Sequence, residues 1–171
     1  MRAVIIGGAA CVWDDLEKAR ALWDFDTVIA VNDAGAEFPG DIDYWVTLHA
    51  DRLDAWVKRR AANGLPPARA TIVDEPATPY TWPGSSGLFA VEIAVKQLGL
   101  DRIVLCGVPM DMRPHFAGAL MHPDPNRCWI GADGFWGAWH EAMPHIRDKV
   151  RSMSGRTREL LGQPTKDWLA S

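Results

Sequence analysis

The stretch that most constrains the fold is 84–111, GSSGLFAVEIAVKQLGLDRIVLCGVPMD, in which an apolar helix leads almost directly into an apolar strand. Ser85 and Ser86 can cap the helix, and Gly99 is a natural stop. A helix that is apolar on almost every face is usually covered on both sides. The run 102–106, RIVLC, is almost wholly aliphatic, as in a central strand of a parallel sheet. The stretch therefore predicts a sheet with packed helices.

Short apolar runs elsewhere predict four more strands, which alternate with helices. The predicted strands are 3–6, 27–31, 43–48 and 70–73. The predicted helices are 13–23, 87–98 and 135–150, with a further helical turn at 157–161. Another helix is predicted to be capped by Asp51 and to have a shared face of Leu53, Trp56, Val57 and Arg60. Alternation of strand and helix is typical of α/β folds. We expect a single Rossmann-like domain over 1–171, with a mostly parallel sheet of about five strands and helices on both faces.

The composition of the chain argues against several classes of partner and site. The chain has 171 residues, of which 48% are hydrophobic, and its net charge is -4 with no basic patch, which argues against duplex nucleic acid as a partner. No run approaches the roughly 20 apolar residues of a membrane span. The three cysteines show no CxxC spacing, which argues against a zinc ribbon or a disulfide framework and favours a cytoplasmic setting.

Small and polar residues follow the first two predicted strands, and others start the helix before the last predicted strand. In α/β folds, ligands bind at such positions. Gly7 and Gly8 allow a phosphate to approach the backbone, although a glycine pair can also serve only to make a tight turn. Asn32 and Asp33 end the second strand and are placed to contact ribose or base, with an Asx turn as the alternative. The candidates for ligand binding are Gly7, Gly8, Asn32, Asp33, Ser85, Ser86 and Gly87.

The region 110–134 has no periodicity and is predicted to be a long loop with acid–base groups. Its candidates for catalysis are Asp111, His115, His122 and Asp133. Histidine can act as an acid or a base near neutral pH. Asp111, His115, His122 and Asp124 include metal-ligand types, but their spacing matches no metal site that we recognise, so no metal is expected to be required.

Four segments resemble a set of related nucleotide-using transferases. They are VIIGG at the start, the second strand ending in VN, DYWVTLH in the third strand, and above all Ser86 to Asp111. The set comprises the bacterial lipooligosaccharide sialyltransferases, the motility accessory factors and the pterin pyrophosphokinase-like proteins. The resemblance implies a Rossmann-like domain that binds a nucleotide or CMP-sugar, with Gly7, Gly8, Asn32, Ser85, Ser86 and Gly87 as ligand contacts.

The chain departs from these families in its first loop, in the region before its last helix, and in a shorter lid over the donor, at best 110–134. The first loop reads GGAACV and lacks the serine contact of the families. The sialyltransferases have a general-base histidine shortly before the last helix, whereas residues 129–134 contain none. Either Asp133, His122 or His115 takes this role, or the protein does not perform this chemistry.

Three functional hypotheses follow. The first is a transferase that uses a nucleotide or nucleotide sugar, which would be its small-molecule ligand. The second is a non-catalytic nucleotide-binding module, such as a phage or mobile-element accessory protein. The third is an interaction protein that forms a homo-oligomer through a Trp-rich last helix with Trp129, Trp136 and Trp139.

Overall fold

The computed structural model of the chain describes residues 1–74, 81–82, 84–116 and 132–171. Its centre is one sheet of six parallel strands, which are β1 (Arg2–Ile6), β2 (Thr27–Val31), β3 (Tyr44–Thr47), β4 (Ala70–Val73), β5 (Arg102–Cys106) and β6 (Val150–Ser152). The strand order is β4-β3-β2-β1-β5-β6. The predicted α/β class with a parallel sheet is confirmed, with six strands where about five were expected.

Helices cover both faces of this sheet. They are α1 (Val12–Leu22), α2 (Ala34–Glu37), α3 (Ala50–Ala62), α4 (Ser86–Glu92) with a π-helical continuation (Ile93–Gln97), α5 (Ala132–Ile146), α6 (Gly155–Leu161) and α7 (Lys166–Ala170). Successive strand residues point to opposite faces. Accordingly Ala3 and Ile5 of β1 pack in one apolar cluster with α4 and α5, while Val4 and Ile6 pack in the other with α1.

The chain order creates a switch point beside β1. The first four strands proceed outward from β1 in one direction, and the chain then crosses to place β5 on the other side of β1. The loops that follow β1 and β5 therefore diverge at the carboxyl edge of the sheet. This is the place where open α/β sheets form a ligand crevice.

The last helix is shorter than predicted, and a strand was missed. The helix ends at Ile146 rather than at 150, because Lys149 donates to the Ile146 carbonyl and the chain then extends into β6. Val150 lies opposite Ile103 of β5 and is fully buried. A strand of three residues is too short to produce a periodic signal, so Val150 was assigned to the helix.

The cap and the buried face of α3 differ from the prediction, and the structure has two short helices that were not predicted. Asp51 does not cap α3, because the helix begins at Ala50 and Asp51 lies in its first turn. Val57 does not share the buried face, since it is 43% exposed, whereas Trp56 is buried. The helices α2 and α7 were not predicted, and Leu169 of α7 is fully buried in a tail that we expected to be polar.

Candidate functional site

Two predicted ligand-binding stretches meet at Val108, the second residue after β5. A Cβ atom added to Gly7 would lie 2.6 Å from Val108 Cγ2, and one added to Gly87 would lie 2.9 Å from Val108 Cγ1. Both glycines are thus needed for close packing at this point. The fold therefore brings the loop after β1 and the start of α4 together at the carboxyl edge, although they are distant in sequence.

The backbone of the first glycine loop is already hydrogen-bonded within the protein. Gly7 N donates to the Cys106 carbonyl at 2.8 Å, Ala9 N to that of Gly107 at 3.1 Å, and Ala10 N to that of Pro114 at 2.9 Å. These donors would have to be released before they could bind a phosphate. Phosphate binding by this loop therefore stays a prediction, and the packing role of Gly7 explains its presence without a ligand.

Asn32 is held in an uncommon backbone conformation at the end of β2. Its φ is 53°, in the left-handed region that asparagine tolerates better than most residues. Its side-chain oxygen accepts a hydrogen bond from Thr47 Oγ1 at 2.8 Å, and its carbonyl accepts one from Trp45 Nε1 at 2.6 Å. This arrangement uses the oxygen of the Asn32 amide and fixes the direction of its NH₂ group.

Asp33, Gly8 and His115 form the most distinctive contact at the carboxyl edge. Asp33 is 1% exposed, and its Oδ1 lies 3.2 Å from Nε2 of His115. A Cβ atom on Gly8 would lie 2.3 Å from the same nitrogen, so only glycine leaves room for the ring. Within the described residues Asp33 Oδ1 makes no hydrogen bond, although the His115 ring is near it. The buried carboxylate and the imidazole are therefore in contact without a hydrogen bond between them.

Asp111 is engaged by its own loop. Its carboxylate accepts a hydrogen bond from Arg113 N at 3.1 Å and lies 3.2 Å from Arg113 Nε. The other face of the loop packs against Gly155, where an added Cβ atom would lie 2.7 Å from Asp111 Oδ2. The carboxylate thus organises the turn after β5.

A second buried carboxylate, Asp15 of α1, was not predicted and bonds to the loops after β5 and β6. Asp15 Oδ2 accepts hydrogen bonds from Gly107 N at 3.0 Å and from Ser154 Oγ at 2.6 Å. The thiol of Cys11 lies 3.3 Å from the same Ser154 hydroxyl, and burial raises the pKa of that thiol. An acidic residue in the first turn of a helix favours the positive end of the helix dipole, which was the available sequence signal.

Ser85 caps α4 as predicted, since its hydroxyl accepts from Leu88 N at 3.4 Å. Ser86 beside it is 7% exposed. Farther along the same helix, Glu92 and Lys96 form an ion pair at 2.8 Å, and Glu92 also accepts hydrogen bonds from the backbone of 81–82. This pairing fixes the chain that enters the helix cap.

Asp133 and the tryptophans lie in and beside α5. Asp133 is exposed and pairs with Arg156 at 2.5 Å, and the Arg156 guanidinium lies 4.3 Å from the centre of the Trp136 ring. Trp139 is fully buried in the core of its own chain, so it is not available for an oligomer interface. His122 and Trp129 lie outside the described residues.

A cleft of about 280 Å³ lies at the opposite, amino-terminal edge of the sheet, between the starts of β2, β3 and β4. Its Asp43 is already paired with Arg69 at 2.9 Å and accepts a hydrogen bond from Val28 N at 2.9 Å. Because open α/β sheets place their ligands at the carboxyl edge, we assign the candidate site there instead.

Within 1–74, 81–82, 84–116 and 132–171, no group of three or more histidine, cysteine or acidic residues could hold a metal ion. The helices of these same ranges include none with the length and apolar character to cross a membrane. No protein-family model, curated protein or solved structure matches the chain. The fold and site define a doubly wound α/β protein with an aspartate–histidine pair at the carboxyl edge of its sheet.

Proposed function

We propose that this protein is a transferase that uses a nucleotide or nucleotide sugar at the carboxyl edge of the sheet, with His115 as the proton acceptor. The observation that supports this proposal is the contact of His115 with the buried carboxylate of Asp33 above Gly8. An imidazole beside a buried carboxylate is a common arrangement for a general base, because the carboxylate orients the ring and stabilises its protonated form.

The chemistry follows from the position of the ring. Asp33 faces Nε2 and favours the tautomer with its proton there, which makes Nδ1 the basic nitrogen. In the proposed step, an acceptor hydroxyl loses its proton to His115 as its oxygen bonds to the transferred group. The bond from that group to the nucleotide phosphate breaks, and the phosphate leaves with the electron pair.

The charges at the edge favour a particular place for the phosphates. Asp15 already brings a buried negative charge to the first turn of α1, which disfavours a second anion there. The start of α4 has no acidic residue in its first turn, and Ser85 and Ser86 provide hydroxyls. We therefore propose that Ser85, Ser86 and Gly87 contact the phosphates, and that the Asn32 amide contacts the ribose or base.

The first experiment is a thermal-shift screen with CMP, CDP, UDP, ADP, ATP, GDP and CMP-sialic acid, each with and without magnesium. A ligand that binds only the native state adds about 2.7 kcal/mol at a hundredfold excess over its dissociation constant. A cytidine-selective shift without magnesium would favour a sialyltransferase-like reaction, and a magnesium-dependent ATP shift a pyrophosphokinase-like one. The absence of any shift would contradict the proposal.

The second experiment tests the base once a nucleotide and an acceptor are known. We expect His115→Ala to lower turnover by about 10² to 10⁴ while the nucleotide still binds, because general-base catalysis contributes about this much. His140→Ala is the matched control, since His140 is exposed on α5. Equal turnover in the two variants would exclude His115 as the base.

One observation favours the alternative of a non-catalytic module. The amides of Gly7, Ala9 and Ala10 in the glycine loop already donate to the protein's own carbonyls. A nucleotide shift in the screen with no turnover across a wide acceptor panel would support this alternative over the transferase.

A further inference from the structure

The segment that contains His115 is attached to the rest of the protein more lightly than the strands beneath it. Residues 113–116, here called the strap, lie along the first glycine loop as an isolated antiparallel bridge between Ala9 and His115. Its two backbone hydrogen bonds run from Ala10 N to the Pro114 carbonyl and from Phe116 N to the Gly8 carbonyl, both at 2.9 Å. The strap is therefore outside the sheet and docked on it.

The docked strap makes side-chain contacts along its length, since Arg113 hydrogen-bonds Cys11 and pairs with Asp111, and His115 lies against Asp33. The Phe116 ring meets the edge of Trp13, with ring centres 5.5 Å apart, and it also packs against the His115 ring at 4.6 Å. Arg113 and Pro114 are exposed, and Met112 just before them is 57% exposed. Phe116 is thus the apolar contact that holds the strap against α1.

Two features oppose docking. The docked His115 ring lies against Asp33, whose Oδ1 is buried without a hydrogen bond, and a buried acceptor in that state loses free energy relative to water. In addition, Met110, where the chain approaches the strap, has a φ of 54°, which is unfavourable for a residue with a side chain. These features partly offset the contacts that favour docking, and a segment attached outside the sheet opens at a lower free energy than the strands of the core.

We propose that the strap is a gate that releases as a unit and, when it docks, places His115 against Asp33. The catalytic part of this inference rests on the proposed function, since it assumes that His115 is the base. Release of the strap frees Ala10 N and uncovers Gly8 and Asp33, so a ligand can enter the crevice. Docking then completes the aspartate–histidine pair, which the rigid sheet alone does not contain.

Amide hydrogen exchange of the ligand-free protein tests the release directly. Ala10 and Phe116 are expected to exchange together and at least about tenfold faster than Gly7, after correction for intrinsic rates, because Gly7 bonds to the end of β5 and not to the strap. Equal protection of the three amides would overturn the proposal. This measurement needs no nucleotide, so it decides the motion even if the proposed function is wrong.

Variants then locate the contact that closes the gate. Phe116→Ala should speed exchange at Ala10 by a further factor of about ten and leave Gly7 unchanged, with Phe116→Leu between the two proteins. The control is Met112→Ala, which changes an exposed side chain of the same loop and should alter neither amide. Unchanged exchange at Ala10 in folded Phe116→Ala would overturn the assigned contact.

The catalytic role is tested with the nucleotide that the screen identifies. Phe116→Ala should lower turnover in the same proportion as it raises the released population, whereas Met112→Ala should retain turnover. If the nucleotide binds and turnover is unchanged in Phe116→Ala, the gate is wrong and the proposed function stands. If no nucleotide binds to either protein while Ala10 exchanges rapidly, the proposed function and the gate's catalytic role fail, and only the motion remains.

Discussion

Two buried charged residues of this protein, Arg60 and Asp33, differ in how fully their side chains are hydrogen-bonded. Arg60 of α3 is 1% exposed, and its guanidinium donates to four backbone carbonyls, those of Pro66, Gly35, Phe38 and Gly40. Asp33 is equally buried, yet one of its carboxylate oxygens has no hydrogen bond among the described residues. Arg60 uses four of its five N–H donors in these bonds, so we infer that it stabilises the fold, whereas the Asp33 carboxylate lies 3.2 Å from His115 and belongs to the candidate site.

The surroundings of the two residues agree with this distinction. Arg60 connects α2 and the turn after it to the segment after α3, and burial lowers its pKa against the opposing effect of Asp41. Asp33 lies at the carboxyl edge beside a histidine. The comparison implies that replacing Arg60 should change stability, and replacing Asp33 should change chemistry.

Arg60→Met should produce the largest effect. Four carbonyls lose their donor, and at about 1 kcal/mol for each lost bond we expect the free energy of unfolding to fall by about 4 kcal/mol. Urea denaturation measures it. Arg59→Met is the control, because Arg59 is partly exposed and forms a surface ion pair with Glu37, and we expect it to cost less than about 1 kcal/mol. Similar losses in both variants would remove the contrast.

Asp33→Asn should separate stability from chemistry. The amide keeps the shape of the side chain but removes a charge with an unused acceptor, so the free energy of unfolding should change by less than about 1 kcal/mol. Turnover of the identified nucleotide should fall by about a hundredfold or more, since the ring loses its orienting carboxylate. A loss of stability as large as that of Arg60→Met would show that Asp33 is structural.

Glu92 is a buried carboxylate that, unlike Asp33, accepts several hydrogen bonds, so it extends the comparison. Burial would raise its pKa, but hydrogen bonds from Lys96, Thr81 and Trp82 together outweigh burial and lower the pKa below the ordinary 4.5. Because the folded-state pKa is depressed, the stability it contributes is present above pH 4.5 and is lost as the pH falls through the folded-state pKa.

Glu92→Gln should therefore cost about 1 to 2 kcal/mol at pH 7, and the difference from the unmodified protein should shrink below pH 4.5. Thermal unfolding between pH 7 and pH 3 measures it, with the exposed Glu141→Gln on α5 as the control. A difference that stays constant over this range would contradict the assignment.

Most of the sheet could be predicted from the sequence because buried parallel strands are continuous apolar runs. The runs at Thr27–Val31, Ala70–Val73 and Arg102–Cys106 were predicted with the bounds that the structure has. The strand Val150–Ser152 could not be predicted, because its burial results from pairing with β5 rather than from a pattern of its own.

The site was predicted only in its parts. Asp33 and His115 were each candidates, but their contact depends on the bridge between the strap and the glycine loop, which has no local sequence signal. Likewise, helical periodicity placed Arg60 on the inward face correctly, yet its acceptors are carbonyls of distant segments. Contacts made by tertiary structure are not present in the pattern of neighbouring residues.

The position of β1 has a consequence for biosynthesis. In the folded sheet β1 lies between β2 and β5. Its residue Arg2 pairs with Arg102 of β5, which is one hundred residues later in the chain. At about 5 to 20 residues per second, a ribosome needs about 5 to 20 s to synthesise that distance. During this interval β1 can pair only with β2, and its other edge is an open, apolar template for aggregation. The most protected strand of the native protein is thus the most vulnerable one on the nascent chain.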